Sequence, residues 1–208
     1  RTRNIPLVGG LGIGLAFIFS LSLGFFIFDF PAGKILAMSG ACLFMLFLGV
    51  LDDIKELLVA QKFLAQSFCA VLLISSGIRT EIMYFGFWGN AVITFFWILG
   101  ITNAFNLLDI MDGLAAGASL IVSAAFLAIG FLSADLNVQL LSLILCAASI
   151  GFLIFNLPPA KAYLGNSGSH FLGLLFASLA LITHYASANN AFALLSPMMI
   201  LGLPIIDT

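Results

Sequence analysis

Apolar residues run through this chain in long stretches separated by short polar breaks. A helix needs about 20 mostly apolar residues to cross the hydrocarbon core of a bilayer, with a range of about 17 to 25. Eight stretches meet or approach that length: 11–28, 35–51, 62–78, 88–105, 114–133, 138–156, 169–186 and 192–206. The breaks are short, so consecutive helices must run antiparallel. The pattern predicts an all-α fold, a polytopic transmembrane helix bundle with about eight membrane-spanning helices, in one integral-membrane domain over 1–208. The chain opens on Arg1-Thr2-Arg3-Asn4-Ile5-Pro6 and closes on Leu203-Pro204-Ile205-Ile206-Asp207-Thr208, so both ends read as cut and a longer natural protein is expected.

Composition narrows the class. The 208 residues are 62% hydrophobic and 8% charged, with a mean hydropathy of +1.22, whereas a soluble domain carries roughly 25% charged residues. Seven basic and nine acidic side chains cannot cover a water-exposed surface of this size, so the bilayer is the solvent for most of it. A net charge of −2 gives no basic footprint for nucleic acid. Cys42, Cys69 and Cys146 stand singly inside apolar runs and read as small core or lipid-facing residues.

Charge then assigns sides. Antiparallel spans put 1–10, 52–61, 106–113, 157–168 and residue 207 at one membrane face, and 29–34, 79–87, 134–137 and 187–191 at the other. Arg1, Arg3, Lys55, Lys62 and Lys161 fall on the first face, Lys34 and Arg79 on the second. The excess of basic residues assigns the first face to the cytoplasm. Asp52, Asp53, Glu56, Asp109, Asp112 and Asp207 share it, against Asp29, Glu81 and Asp135 opposite. Polar chemistry from far-apart loops is thus gathered at one surface, as an interfacial active site requires.

Three polar strings carry that chemistry. Asp52-Asp53, with Lys55, Lys62 and Gln66 after it, sets two carboxylates side by side. They repel unless a cation intervenes; the alternative is an acidic cap for the next helix. In the second string, Asn103, Asn106, Asp109 and Asp112 recur every third residue up to Gly113. Continued as helix, that spacing places them roughly along one face. Such carboxylate and amide oxygens suit hard Mg²⁺, although Asn, Asp and Gly are also common turn residues. The third runs from Asn156 through Pro158, Pro159, Lys161, Tyr163, Gly165, Asn166, Ser167 and Gly168 to His170. Its prolines stop one helix. Its glycines can present N–H groups at the start of the next, where phosphate is favoured. His170 and His184 read as hydrogen-bonded interfacial residues, the Phe-rich runs as lipid-facing bulk, and Trp88 as an interfacial anchor.

Taken in this order, the strings resemble the polyprenyl-phosphate N-acetylhexosamine-1-phosphate transferase superfamily. Ile5-Pro6-Leu7-Val8-Gly9-Gly10 resembles its P-x-x-G-G loop, and the stretch from Leu51 to Gln66 its aspartate pair followed by Lys and Gln. The stretch from Asn103 to Gly117 resembles its N-x-x-N-x-x-D-G-x-D-G-L-A loop, the stretch from Asn156 to Gly173 its last glycine-rich loop, and the end from Pro204 the segment before a final His-rich loop. The resemblance implies transfer of N-acetylhexosamine 1-phosphate from a UDP-sugar to polyprenyl phosphate with release of UMP. The site would lie on the cytoplasmic side of a bacterial inner membrane, and the reaction would open cell-envelope glycan synthesis.

The resemblance also assigns residues. Asp52 is the base on the lipid phosphate, Asp53 shapes its charge, and Asp109 supports the diphosphate cluster. Asn106 and Asn166 hold Mg²⁺, with Mn²⁺ an admissible substitute. Lys62 lies near phosphate, Asp112 meets the uracil edge between Leu107 and Tyr163, and Gly9 and Gly10 form a substrate-side loop. A homodimer is compatible with it. Asn103-Ala104-Phe105-Asn106-Leu107-Leu108-Asp109 and the short gap from Asp53 to Lys62 resemble the N-acetylglucosamine branch more than the muramoyl-pentapeptide branch. Two positions depart from the pattern: Ile110 stands where a glycine is usual, and Asn166 where an Asp is usual. The second removes a negative charge and leaves open a catalytically weakened member with a binding role. A CDP-alcohol phosphatidyltransferase would need an Arg soon after Asp112-Gly113, where Leu114-Ala115-Ala116-Gly117 stands. A secondary transporter would put polar residues and broken helices near the bilayer midplane, and the spans contain almost no ionisable groups.

Overall fold

The computed structural model describes residues 5–27, 32–183 and 191–206. Arg1, Arg3, Asp29, His184 and Asp207, used above to assign sides or weighed as interfacial groups, lie outside the described residues. The described residues form helices α1 (Gly9–Ile27), α2 (Ala32–Lys55), α3 (Val59–Ser75), α4 (Gly86–Leu108), α5 (Leu114–Leu132), α6 (Leu136–Asn156), α7 (Gly165–Ile182), α8 (Ala191–Ile200) and α9 (Gly202–Ile206), and no strand is present among them. Six of these, α1, α2, α4, α5, α6 and α7, are long and apolar enough to cross a membrane, and α3 is a shorter apolar helix.

The polytopic all-α reading therefore holds, while among the described residues the apolar run over 192–206 forms two short helices rather than one long one. Where one crossing over 192–206 was expected, the chain turns at Leu201 between α8 and α9, with Pro197 inside α8 and Pro204 inside α9. Proline lacks the N–H that continues a helix and clashes with the preceding turn, which accounts for the interruption at Leu201 between the two helices.

Helix α7 is the centre of the bundle. Every residue from Gly165 to Ala180 except Asn166 is buried, and α1, α2 and α4 pack around it while α5 and α6 pair beside them. In lipid, helices associate through close packing and small residues rather than through a hydrophobic drive between them. The contact glycines fit that rule. A Cβ on Gly49 of α2 would run into the backbone of Ser167, and one on Gly173 would lie 2.8 Å from Thr102 Cα of α4. Phenylalanines fill the space that remains, with Phe17 edge-on to Phe171 and Phe176 stacked on Phe105. These rings are fully buried, so the Phe-rich runs are not uniformly lipid-facing; others, Phe19, Phe26, Phe47, Phe96 and Phe131 among them, point outward.

Helix direction follows from chain order. Starts of α1, α3, α5 and α7 and ends of α2, α4 and α6 all lie at one end of the bundle. Segments 5–8, 56–58, 109–113 and 157–164 meet there. Trp88, 80% exposed, sits near the opposite end beside Phe87, as an interfacial aromatic should.

Candidate active site

The converging segments enclose a cavity of about 490 Å³. Asp52, Asp53, Asn106, Asp109, Asp112, Tyr163 and Asn166 all line it, so seven of the sequence-predicted residues share one space. Leu7, Glu56, Ile110, Met111, Asn156 and Gly165 complete the wall. Five of the lining side chains are carboxylates and none is basic. Like charges so gathered repel one another. An anionic ligand enters such a space only with a cation.

The two adjacent aspartates do not share a partner. One residue step turns a helix by 100°, and the pair diverges accordingly. Asp52 is 2% exposed; its Oδ1 accepts from Leu57 N–H at 2.7 Å, and its Oδ2 pairs with Lys62 Nζ at 2.6 Å. Asp53 points to α7, where its two oxygens accept from Asn166 N–H at 2.8 Å and Ser167 N–H at 3.1 Å. The expected free N–H groups at the start of α7 are therefore already held by a carboxylate from α2, rather than left for phosphate. A carboxylate at that place satisfies donors that the helix itself cannot and complements its dipole.

The three-residue repeat on α4 also resolves unevenly. Three steps of 100° fall 60° short of a full turn, so the face drifts. Asn103 has rotated toward α3, where it exchanges amide hydrogen bonds with Gln66 at 2.8 and 3.2 Å and does not line the cavity. Asn106 faces α7; its Nδ2 donates to Asn166 Oδ1 and to Ser169 Oγ, each at 2.9 Å. Helix α4 then ends at Leu108, and Asp109 to Gly113 form the turn into α5. Asp112 Oδ2 accepts from Ala160 N–H at 3.1 Å, and Asn156 bridges the same two segments through Gly113 N–H and Ala162 C=O. Asp109 is partly enclosed, and burial pushes its carboxyl up to about 7; Asp53's charge adds to the rise and a hydrogen bond from the Gly165 backbone opposes it.

Four residues assigned to substrate by resemblance stand elsewhere. Gly9 and Gly10 are buried, and their N–H groups donate to the C=O of Tyr163 and Leu164 at 2.9 Å. A Cβ on Gly10 would collide with the Gly168 backbone. They allow α1 to approach α7 and are not among the residues that line the cavity. Leu107 is 54% exposed and turned away from the cavity, one residue round the helix from Asn106; the apolar neighbours there are Leu7, Ile110 and Met111. Lys62 does not line the cavity and stands behind Asp52 as its ion-pair partner.

Sequence reasoning assigns no individual site role to Glu56, Asn156 or Ser169. Glu56 lines the wall with φ +46°, the left-handed conformation that usually ends a helix on glycine. Asn156, 3% exposed, carried a signal in being an amide at the very end of an apolar span. His170 was read as interfacial and is instead 1% exposed.

Comparison with known proteins bears on the same residues. The profile of glycosyl transferase family 4 matches residues 35–184, which include every cavity-lining residue except Leu7. The chain belongs to this family. It is 34% identical to a probable undecaprenyl-phosphate N-acetylglucosaminyl 1-phosphate transferase of Bacillus subtilis, over 99% of this chain and 59% of that protein. It is 34% identical to the undecaprenyl-phosphate alpha-N-acetylglucosaminyl 1-phosphate transferase of Thermotoga maritima, over 86% and 53%. A phospho-N-acetylmuramoyl-pentapeptide-transferase of Listeria monocytogenes is 30% identical, over 88% and 63%. The chain thus spans between 53% and 63% of the length of these family members.

The donors around the cavity fit a hard divalent cation. Among the described residues no three His, Cys, Asp or Glu side chains are grouped to hold a metal alone. The lining groups are carboxylate and amide oxygens, however, and Mg²⁺ ordinarily takes only one or two protein ligands, completed by water and substrate phosphates.

Proposed function

We propose that this protein is the core of a membrane enzyme that moves N-acetylglucosamine 1-phosphate from UDP-N-acetylglucosamine to undecaprenyl or another polyprenyl phosphate, releasing UMP. The observation that carries the reading is the acidic cavity itself: residues from four distant segments line one space with five carboxylates and no cation. A diphosphate donor and an anionic acceptor could meet there only with a divalent metal. The names of the 34%-identical relatives support the N-acetylglucosamine donor and the lipid acceptor.

In this reading an oxygen of the lipid phosphate attacks the phosphorus bonded to the sugar. The bond from that phosphorus to the bridging oxygen breaks, and the bridging oxygen leaves with UMP. Positioning and charge neutralisation dominate such transfers. Mg²⁺, or Mn²⁺ in its place, would polarise the diphosphate and stabilise the leaving phosphate. Asn106 and Asn166 would hold it through their amide oxygens, with Asn106 Nδ2 fixing the angle between the two side chains. Asp52 takes the proton of the lipid phosphate, and the Lys62 ammonium behind it offsets negative charge on the phosphate. Asp53 keeps the start of α7, and so Asn166, in register. Asp109 stands beside the diphosphate, and Asp112 offers Oδ1 to the uracil edge beside Tyr163. Placing this chemistry at the cytoplasmic end of a bacterial inner-membrane protein accords with the basic residues Lys55, Lys62 and Lys161 near that end.

The test is UMP release by the full-length protein with Mg²⁺ and undecaprenyl phosphate, offered UDP-N-acetylglucosamine or UDP-N-acetylmuramoyl-pentapeptide in separate arms. Turnover with the first alone is expected. Turnover with the second alone assigns the donor class of the Listeria relative, and turnover with neither removes the enzymatic reading. Asp52→Asn should abolish release; persistent turnover would take the base role from Asp52.

A further inference from the structure

The proposed chemistry leaves His170 unused. It lies in the second turn of α7, 1% exposed, and makes no hydrogen bond among the described residues; its Nδ1 is enclosed and unpaired. Leaving a polar group unpaired so deep costs free energy, a cost tolerated where the group has a partner in another state. Its position on α7 indicates which. Asn166 and Ser169 on that helix face α4, whereas Ser167 faces α1 and α2. At 100° per residue His170 points between those directions, toward the crevice between α2 and α4. The charges that act on its ring are Lys62, Asp52 and Asp53. Of these Asp53 is held by two backbone N–H groups, and Asp52 and Lys62 hold each other.

Lys62 carries three N–H donors on one ammonium, and its only partner among the described residues is Asp52 Oδ2. A neutral imidazole offers one acceptor nitrogen. We infer that His170 is a positioning residue for Lys62: its acceptor nitrogen holds the ammonium when an incoming phosphate monoester or diphosphate draws Lys62 away from Asp52. The imidazole would then keep the lysine aimed at phosphate while Asp52 is released to take a proton. Without it, Lys62 must choose between its carboxylate and the ligand. This rests on the phosphate-transfer reading above and adds to it a residue outside the cavity wall.

The experiment measures binding and turnover separately on the full-length protein. Binding of polyprenyl phosphate alone and of UDP-N-acetylglucosamine with Mg²⁺ alone is followed by thermal shift in detergent. Turnover is followed by UMP release. His170→Phe keeps the ring's bulk and removes both nitrogens; it should weaken binding of one phosphate ligand about 10-fold, the arm showing which, and raise KM for the same ligand. His170→Gln restores an acceptor and should recover most of the loss. Lys62→Met should weaken the same arm, and adding His170→Phe to it should cost no more.

A His170→Phe protein that binds both ligands as the wild type does, or whose loss adds fully to that of Lys62→Met, overturns the inference. So does a uniform loss in both arms that Gln does not rescue, which is what a packing role gives. A wild-type protein that binds polyprenyl phosphate but releases no UMP overturns the proposed function and leaves the binding test standing.

Discussion

Asp53 offers the sharpest separation of structure from chemistry. Asp53→Ala removes the acceptor for Asn166 N–H and Ser167 N–H, at 2.8 and 3.1 Å. Hydrogen bonds to a charged group contribute about 1.5–3 kcal/mol each. A carboxylate at a helix N-terminus contributes about 0.3–1 kcal/mol through the dipole. The dipole effect acts largely through the same N–H groups, and the carboxyl is partly exposed, so the lower figures apply without addition. The expected loss is about 3 kcal/mol for Ala and about half that for Asn, which keeps one acceptor oxygen. The backbone has little freedom to compensate, because Gly165, at φ +74°, already sits so close that a Cβ there would lie 2.7 Å from Asp53 Oδ2. Unfolding of the purified protein by SDS titration in mixed micelles measures the stability, and UMP release the activity. Stability and activity should fall together for Ala and by a smaller step for Asn. A variant with wild-type unfolding and no UMP release would refute the capping argument and return Asp53 to direct contact with substrate.

Other expectations follow from the same geometry. Asn166→Asp adds a charged oxygen beside Asn106 and should lower the Mg²⁺ concentration for half-maximal UMP release; an unchanged concentration removes residue 166 from the metal shell. Burial raises the Asp109 carboxyl from its ordinary 3.8 to about 7, so the folded state favours the protonated form; that stability is complete below about pH 4 and is lost as pH rises through about 7. Chelator-treated protein should therefore lose stability across that window, and Asp109→Asn should flatten the slope; an unaltered slope refutes the assignment. Gly10→Ala forces a methyl into the Gly168 backbone and should cost about 1–3 kcal/mol, whereas Gly12→Ala meets nothing within 4 Å and should be neutral or slightly stabilising. Equal effects in the SDS titration would refute the close α1–α7 contact.

Much of the fold was legible because a bilayer leaves few options. Backbone polar groups in hydrocarbon must pair within a helix or a closed barrel, and runs such as 138–156 admit one reading, which α6 (Leu136–Asn156) matches within two residues at its start. The run over 192–206 misled because counting apolar residues weighs Pro197 and Pro204 no more heavily than their neighbours. The end of α2 was misjudged for the opposite reason. Polar Asp52, Asp53 and Lys55 looked like a loop, yet they remain helical to Lys55 because that end of the helix lies at the polar surface, where charge is tolerated.

The site was legible in its membership more than in its bonding. Asp52, Asn106, Asp112 and Asn166 announced themselves as polar residues where apolar ones were expected, and all four line one cavity. Their partners are harder to read. Asp53's are backbone N–H groups 113 and 114 positions along the chain, and every residue but proline carries that donor, so no pattern of residue types marks it. Gly9 and Gly10 failed for a related reason. A glycine beside a polar loop fits a ligand contact and a helix contact equally well, and only the approach of Gly168 on α7 decides for the second. The same helix receives Asp53's cap, Asn106's amide and the glycines of α1, and it carries His170. Side chains on α2 and α4 are thus held at fixed positions relative to one another through α7, so a perturbation at the start of that helix should reach the proposed metal ligands, the aspartate pair and Lys62 together.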